Sequence, residues 1–159
     1  MPQALTGAPY TGRSVLRCRD LSRFGIGSNA DFSGRAVVAA DQYQWITSPQ
    51  GGVKRVMLDR LGGETGRATS IVRYASASYF PQHQHPSGEE ILALSGTFSE
   101  GNQHYPAGWC LRNPLGSSHQ PSSDGDAIIF VKLGQMSPGD DCSVRIDTQP
   151  VLLGTTRRP

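Results

Sequence analysis

Three of the four histidines in the sequence are placed so that their side chains can converge on one point together with a glutamate side chain. His83 and His85 are two residues apart, and side chains two apart in a strand project from the same face. The turn sequence at 86–88 follows, and Glu89 then begins an apolar strand. A hairpin built this way brings Glu89 alongside His85, and His119 arrives from a later strand. The sequence therefore predicts a cluster of three imidazoles and one carboxylate.

Such a donor set indicates a site for one divalent transition metal. Neutral imidazole and carboxylate suit iron, zinc, nickel and manganese, and copper also accepts these ligand types. If all four side chains bind an octahedral ion, two positions stay open for substrate, dioxygen or water. A bidentate Glu89, or a four-coordinate ion, leaves fewer.

The elements that position these residues are predicted to be short strands. Gly and Pro together make 30 of the 159 residues, and turn sequences separate apolar, β-branched runs at intervals of about 8–15 residues. This pattern favours an all-β sandwich or barrel. The candidate strands are Ala36–Ala40, Val53–Leu58, Thr69–Tyr74, Ile91–Leu94, Thr97–Phe98, Trp109–Leu111, Ala127–Leu133 and Ser143–Asp147.

Composition narrows the function classes. The chain is 36% hydrophobic and 18% charged, with a formal net charge of +2, which does not indicate nucleic acid or acidic lipid as a partner. The longest apolar runs are far short of the roughly 20 residues that a membrane span needs. The N-terminus has no signal-peptide pattern, and the three cysteines are widely spaced. We therefore expect a cytoplasmic protein with an irregular arm (1–34), one metal-binding domain (35–150) and a tail (151–159).

At the metal cluster the chain resembles the cupin superfamily. The first cupin motif reads HxH, three or four residues, E, six residues, G, and His83, His85, Glu89 and Gly96 match it throughout. The second motif is PxG followed by a histidine, and here the PxG at 106–108 precedes His119 by a longer gap than usual. The resemblance implies a double-stranded β-helix with His83, His85, Glu89 and His119 as metal ligands. Glu90 is the adjacent alternative to Glu89, and only one of the two is expected to face the site.

The long gap and further segments between about 40 and 135 are similar to the cupin domain of ChrR-type anti-sigma factors. Those proteins bind their sigma factor through an N-terminal zinc domain that needs a histidine and a CxxC. Residues 1–34 contain no histidine and only Cys18. The resemblance therefore does not support sigma-factor inhibition by that route.

Candidate substrate contacts are one arginine and three aromatic residues. Arg73 suits an anionic substrate, with surface pairing as the alternative. Tyr79, Phe98 and Trp109 suit an apolar pocket, with the barrel core as the alternative. His104 can line the site or lie on an exposed turn.

Three functions fit these observations. The first is a metal-dependent dioxygenase that acts on a small carbonyl or aromatic compound. The second is a ChrR-like sensing or regulatory module that binds a signal molecule or partner protein, and the third is a small-molecule binder with a structural zinc. Because cupins commonly pair through barrel edges, the resemblance also implies a homodimer.

Overall fold

The computed structural model describes residues 29–63 and 66–149, and its regular structure is almost entirely β-strand. The predicted arm therefore lies outside the described residues as far as position 28, and the predicted tail (151–159) lies outside them completely. The strands are β1 (Ile46–Thr47), β2 (Val53–Leu61), β3 (Arg67–Tyr74), β4 (Ser78–Tyr79), β5 (His83–His85), β6 (Glu89–Glu100), β7 (Gln103–Pro106), β8 (Trp109–Asn113), β9 (Ser117–His119), β10 (Pro121–Ser123), β11 (Ala127–Leu133) and β12 (Val144–Asp147).

The long strand β6 connects two antiparallel sheets. Its first part pairs with β11 on one side and with β8 on the other. This sheet has the strand order β1-β2-β3-β11-β6-β8-β12. Its second part pairs with β7 and β10, and β10 also pairs with β4. A separate two-stranded sheet joins β5 to β9. This arrangement confirms the all-β cupin architecture that the sequence predicted.

The core consists of the inward-facing residues of these strands. Alternation along β11 buries Ala127, Ile129 and Val131, and the intervening residues are only partly buried. Phe98 and Leu111, at 1% and 0% exposure, are among the largest buried side chains. They fix the positions of β6 and β8, which carry part of the candidate site.

Most of the longer predicted strands are confirmed, but the one at Ala36–Ala40 is wrong. Val37 is 61% exposed, and a single 3-10 turn follows at Ala40–Gln42. An apolar run alone does not make a strand, and among the described residues none pairs with this segment. No helix in the described ranges has the length and apolar character needed to cross a membrane.

The predicted hairpin between β5 and β6 is also wrong. β5 pairs with β9, so that His83 lies opposite His119. Glu89 still reaches His85, because a tight turn closes with a hydrogen bond from the Gly88 amide to the His85 carbonyl. Gly88 has a φ of 73°, which permits this turn. The homodimer is not tested by a single chain and stays a prediction.

Gly96 marks the point where β6 passes from one sheet to the other. Its φ is 68°, and Leu94 just before it is an extra residue in the pairing with β11. A Cβ atom on Gly96 would lie 1.8 Å from the carbonyl oxygen of Asp126. A left-handed conformation and close backbone contact thus require glycine at this position of the motif.

We expect Gly96→Ala to lower the free energy of unfolding by at least about 3 kcal/mol, because it adds a backbone collision to the strain of a positive φ. Gly101→Ala is the matched control, since Gly101 has a φ of 56° and open space around its Cα. That variant should lose only about 1 kcal/mol. Equal losses in urea unfolding of the two variants would contradict this account of Gly96.

Candidate metal centre

Three secondary-structure elements bring the four predicted ligands together. His83 and His85 project from the same face of β5, and β9 places His119 directly opposite His83. Glu89 is the first residue of β6 and is 5% exposed. The cluster thus draws on three separate strands.

Three ligand atoms of this cluster lie very close to one another. The Nε2 atoms of His85 and His119 are 2.9 Å apart, and each is 3.3 Å from Oε2 of Glu89. Ligand atoms at about 2.1 Å from a metal, at angles of 90–109°, stand roughly 3.0–3.4 Å apart. The spacing of these three atoms therefore fits a shared divalent ion.

His83 completes the imidazole set. Its ring centroid lies 4.6 Å from that of His85 and 4.8 Å from that of His119, and the three residues offer ligand atoms within 4.8 Å of one another. Nδ1 of His83 lies 2.8 Å from the carbonyl oxygen of Pro81. A carbonyl only accepts hydrogen bonds, so Nδ1 carries the proton and Nε2 keeps its lone pair.

Glu100 fixes the orientation of His119. Nδ1 of His119 lies 2.5 Å from Oε1 of Glu100 and donates to it, which leaves Nε2 facing the cluster. Burial opposes ionisation of Glu100, but hydrogen bonds from His119 and Asn113 outweigh it and hold the pKa of this carboxyl below its usual range. Glu100 is therefore a charged acceptor that orients a predicted ligand, His119.

A buried polar network links the two carboxylates. Asn113 donates to Oε2 of Glu89 and to Oε1 of Glu100, both at 3.1 Å. Arg145 donates to Oδ1 of Asn113 at 2.7 Å and to Oε2 of Glu100 at 3.1 Å. Its Nε also donates to the hydroxyl of Tyr105 at 3.0 Å. The charge of Glu100 is thereby paired, and Glu89 is held in place.

The protonation states of the cluster suit a cation. Burial lowers the pKa of His85 to about 4, and the neighbouring His119 and His83 act in the same direction. Burial also lowers the pKa of His83. Burial raises the pKa of Glu89 to about 7, because a carboxylate away from water needs positive charge nearby. Neutral imidazoles beside a carboxyl of this kind are the donors that a metal would stabilise.

The cluster lies on the wall of a cavity of about 200 Å³. This is below the roughly 300–1,000 Å³ of clefts that take drug-sized ligands, so the cavity fits a small molecule. Most of the remaining wall is apolar, which limits water around the cluster. The apolar lining residues include Val53, Met57, Val72, Tyr74, Phe80, Phe98, Ile129, Val131 and Leu133.

Two arginines of β2 also line this cavity. Arg55 is half-buried, and burial lowers the pKa of its guanidinium, with the charge of Arg60 acting in the same direction. Arg60 is held by the chain that follows it: Nη2 donates to the carbonyl of Gly63 at 2.8 Å. The cavity wall therefore carries positive charge as well as the predicted metal ligands.

The predicted substrate contacts occupy different places. Phe98 lines the cavity. Arg73 is exposed on the other face of β3, where it lies 3.9 Å from Asp126, and Tyr79 is 47% exposed. Trp109 packs partly buried against the core beside Tyr105, and neither it nor the other two is among the described lining residues. His104 is exposed on β7 and contacts Ser99.

Sequence reasoning missed Glu100, Asn113, Arg145 and both cavity arginines. Strict alternation along β6 places Glu89 and Glu100 on opposite faces, but the extra residue Leu94 reverses the alternation. The one available signal was scarcity, since the chain contains only four glutamates. Glu90 does face away from Glu89 and pairs with Arg112 at 3.2 Å.

Solved structures with the same fold come from several functional classes. The complex of SigE with the anti-sigma ChrR from Rhodobacter sphaeroides matches with a TM-score of 0.50 and 24% identity, over 60% of this chain and 50% of the matched chain. An acetylacetone dioxygenase from Acinetobacter johnsonii matches with a TM-score of 0.52 and 14% identity, over 70% and 85%. An RmlC-like cupin protein from Ralstonia eutropha JMP134 matches with a TM-score of 0.56 and 13% identity, over 70% and 80%.

These identities indicate a shared fold, and the chain spans about half the length of the matched chain in the ChrR complex. No protein of curated function matches the sequence. A family model described as the ChrR cupin-like domain matches residues 33–137, which is 105 of the 159 residues. Together with the motif at His83, His85 and Glu89 and the double-sheet fold around it, this match shows that the chain belongs to the ChrR cupin-like domain family.

Proposed function

We propose that the chain binds one divalent transition metal through His83, His85, Glu89 and His119 and acts as a dioxygenase on a small carbonyl compound. One observation carries the proposal. The Nε2 atoms of two histidines and a carboxylate oxygen lie within 3.3 Å of one another on the wall of a small, largely apolar cavity. Burying these donor atoms together without a cation costs free energy, because they lose hydration and gain no partner. The same atoms face a cavity that can hold a small ligand.

The chain's own residues would do three things in such a reaction. His119, fixed by Glu100, and Glu89, fixed by Asn113, hold the ligand atoms in place. The apolar wall around Phe98 orients a small substrate and keeps water away from it. A bound redox-active metal supplies the dioxygen chemistry, which side chains of this kind do not perform.

Relatives guide the choice of substrate. The Acinetobacter johnsonii relative is described as an acetylacetone dioxygenase, which makes pentane-2,4-dione the first compound to test. At 14% identity the likeness itself carries only the fold. The cavity volume is independent support for a substrate of this size.

The family match favours a second candidate, a sensing or regulatory module. The ChrR relative is an anti-sigma protein in complex with SigE. In a module of this kind the same cavity would bind a signal molecule, and this binding would change the affinity for a partner protein. The third alternative is a structural zinc with no turnover. Zinc that does not exchange with other metals, together with the absence of dioxygen consumption, distinguishes it from the first two.

The first test is metal binding by histidine variants. We expect His85→Ala to weaken Zn²⁺ or Co²⁺ affinity by more than about 100-fold, because it removes one of the converging ligand atoms. His104→Ala is the matched control, since that histidine is exposed on β7. Competition with a chelator gives the affinities, and circular dichroism verifies the fold. Full metal retention in His85→Ala contradicts the ligand assignment.

The second test addresses Glu100. We expect Glu100→Gln to lower metal affinity about 10- to 100-fold, because the proton on Nδ1 of His119 loses a charged acceptor. Glu90→Gln removes a carboxylate that also pairs with an arginine but faces outward, so it should leave the affinity unchanged. Equal affinities for the two variants would show that Glu100 does not position His119.

The third test is the reaction. Protein loaded with Fe(II) should consume dioxygen when pentane-2,4-dione or a hydroxyacetophenone is added, and His85→Ala should not. An oxygen electrode measures the rate. Tight metal binding without turnover by the iron, manganese or nickel forms overturns the enzyme proposal. Recovery of a specific partner would then favour the regulatory module, and zinc that does not exchange would favour the structural alternative.

A further inference from the structure

The two arginines on the cavity wall owe their shared orientation to a bulge. Along β2, Val53, Arg55 and Met57 face the cavity in alternation. The pairing with β3 then shifts between Met57 and Asp59, so that Leu58 is an extra residue. As a result Arg60, and not Asp59, turns toward the cavity. The bulge places a positive charge where strict alternation would have placed a negative one.

Arg55 lacks a hydrogen-bond or ion-pair partner among residues 29–63 and 66–149, although it is half-buried. Arg60 differs, because carbonyl oxygens of Gly62 and Gly63 accept its hydrogen bonds. A guanidinium drawn partly out of water without an acceptor is unfavourable. Its planar donor set is matched by a carboxylate, which can accept two hydrogen bonds at once.

The charges of the cavity also favour an anion. Among the described residues that line the cavity, one carries a carboxylate, Glu89, and two carry a guanidinium group, Arg55 and Arg60. With a divalent metal held by Glu89 and neutral histidines, the two guanidinium groups would add further positive charge on the wall of the same cavity. The interior is therefore complementary to a small molecule with one negative charge or more.

We propose that this cavity binds a small organic acid whose carboxylate pairs with Arg55 while a carbonyl oxygen of the same molecule faces the histidine–glutamate cluster. This inference rests on the proposed metal site and adds the substrate class. The cavity volume of about 200 Å³ limits the acid to a small molecule. Arg55 takes the role of anion contact that the sequence assigned to Arg73.

The test compares two diketones that differ only in a carboxylate. Pentane-2,4-dione and 2,4-dioxopentanoate are titrated into the full chain loaded with Co²⁺, and the visible absorption of the cobalt reports binding. We expect the acid to bind about 10- to 100-fold more tightly than the neutral diketone. In Arg55→Gln this preference should fall at least about ten-fold, and affinity for pentane-2,4-dione should stay close to that of the unmodified chain.

Three further variants make the comparison specific. Arg55→Lys keeps the charge but not the paired donors, so it should retain part of the preference. Lys54→Gln removes a positive charge from the adjacent, outward-facing position of β2 and should keep the full preference. Arg73→Gln should also keep it. Loss of the preference in Arg73→Gln, with Arg55→Gln unaffected, would return the anion contact to Arg73.

The outcomes separate this inference from the proposed function. If the unmodified chain takes up no cobalt, the metal site fails and the inference fails with it. If the chain binds cobalt but Arg55→Gln keeps the full preference for 2,4-dioxopentanoate, only the role of Arg55 is overturned. A fall in preference confined to the Arg55 variants supports the organic-acid class, whether the acid is turned over or only sensed.

Discussion

The whole site depends on three lone-pair-bearing atoms being held together away from water. Nε2 of His85, Nε2 of His119 and Oε2 of Glu89 gain nothing from one another when all three are unprotonated, and burial denies them hydration. The fold must therefore supply the free energy that keeps them close. A cation bound at this point would reverse the balance, and its binding would then be coupled to the stability of the barrel.

Two features of the backbone supply that constraint. The pairing of β5 with β9 sets His83 and His119 opposite each other, and the turn at Gly88 carries Glu89 back to the same point. Neither depends on the metal. The histidine rings are further fixed from behind, by the Pro81 carbonyl and by Glu100. A site organised in this way needs little rearrangement when an ion enters.

The sequence could group the candidate ligands because their spacing is local or belongs to a motif. His83, His85 and Glu89 lie within seven residues, and the strand period and a turn are enough to group them. It could not reach Glu100 or Arg60, because in each case a bulge reverses the alternation between the residue and its group. The residues at these bulges, Leu94 and Leu58, have no distinctive chemistry. A bulge follows from sheet pairing, which a single sequence does not contain.

Arg145 shows how far the site extends along the chain. It lies beyond residues 33–137, which the family model matches, yet it donates to Glu100 and Asn113 and so neutralises the charge behind His119. The strand that carries it, β12, pairs with β8, the strand of Asn113. Loss of β12 would remove the arginine that pairs with the part-buried carboxylate of Glu100, which raises the cost of ionising it even though His119 and Asn113 still donate to it. Glu100 would then accept the hydrogen bond from Nδ1 of His119 less strongly, and the His119 ring would be held less firmly toward the cluster. The last described strand therefore supports the candidate metal centre through Arg145 and is not an appendage to the barrel.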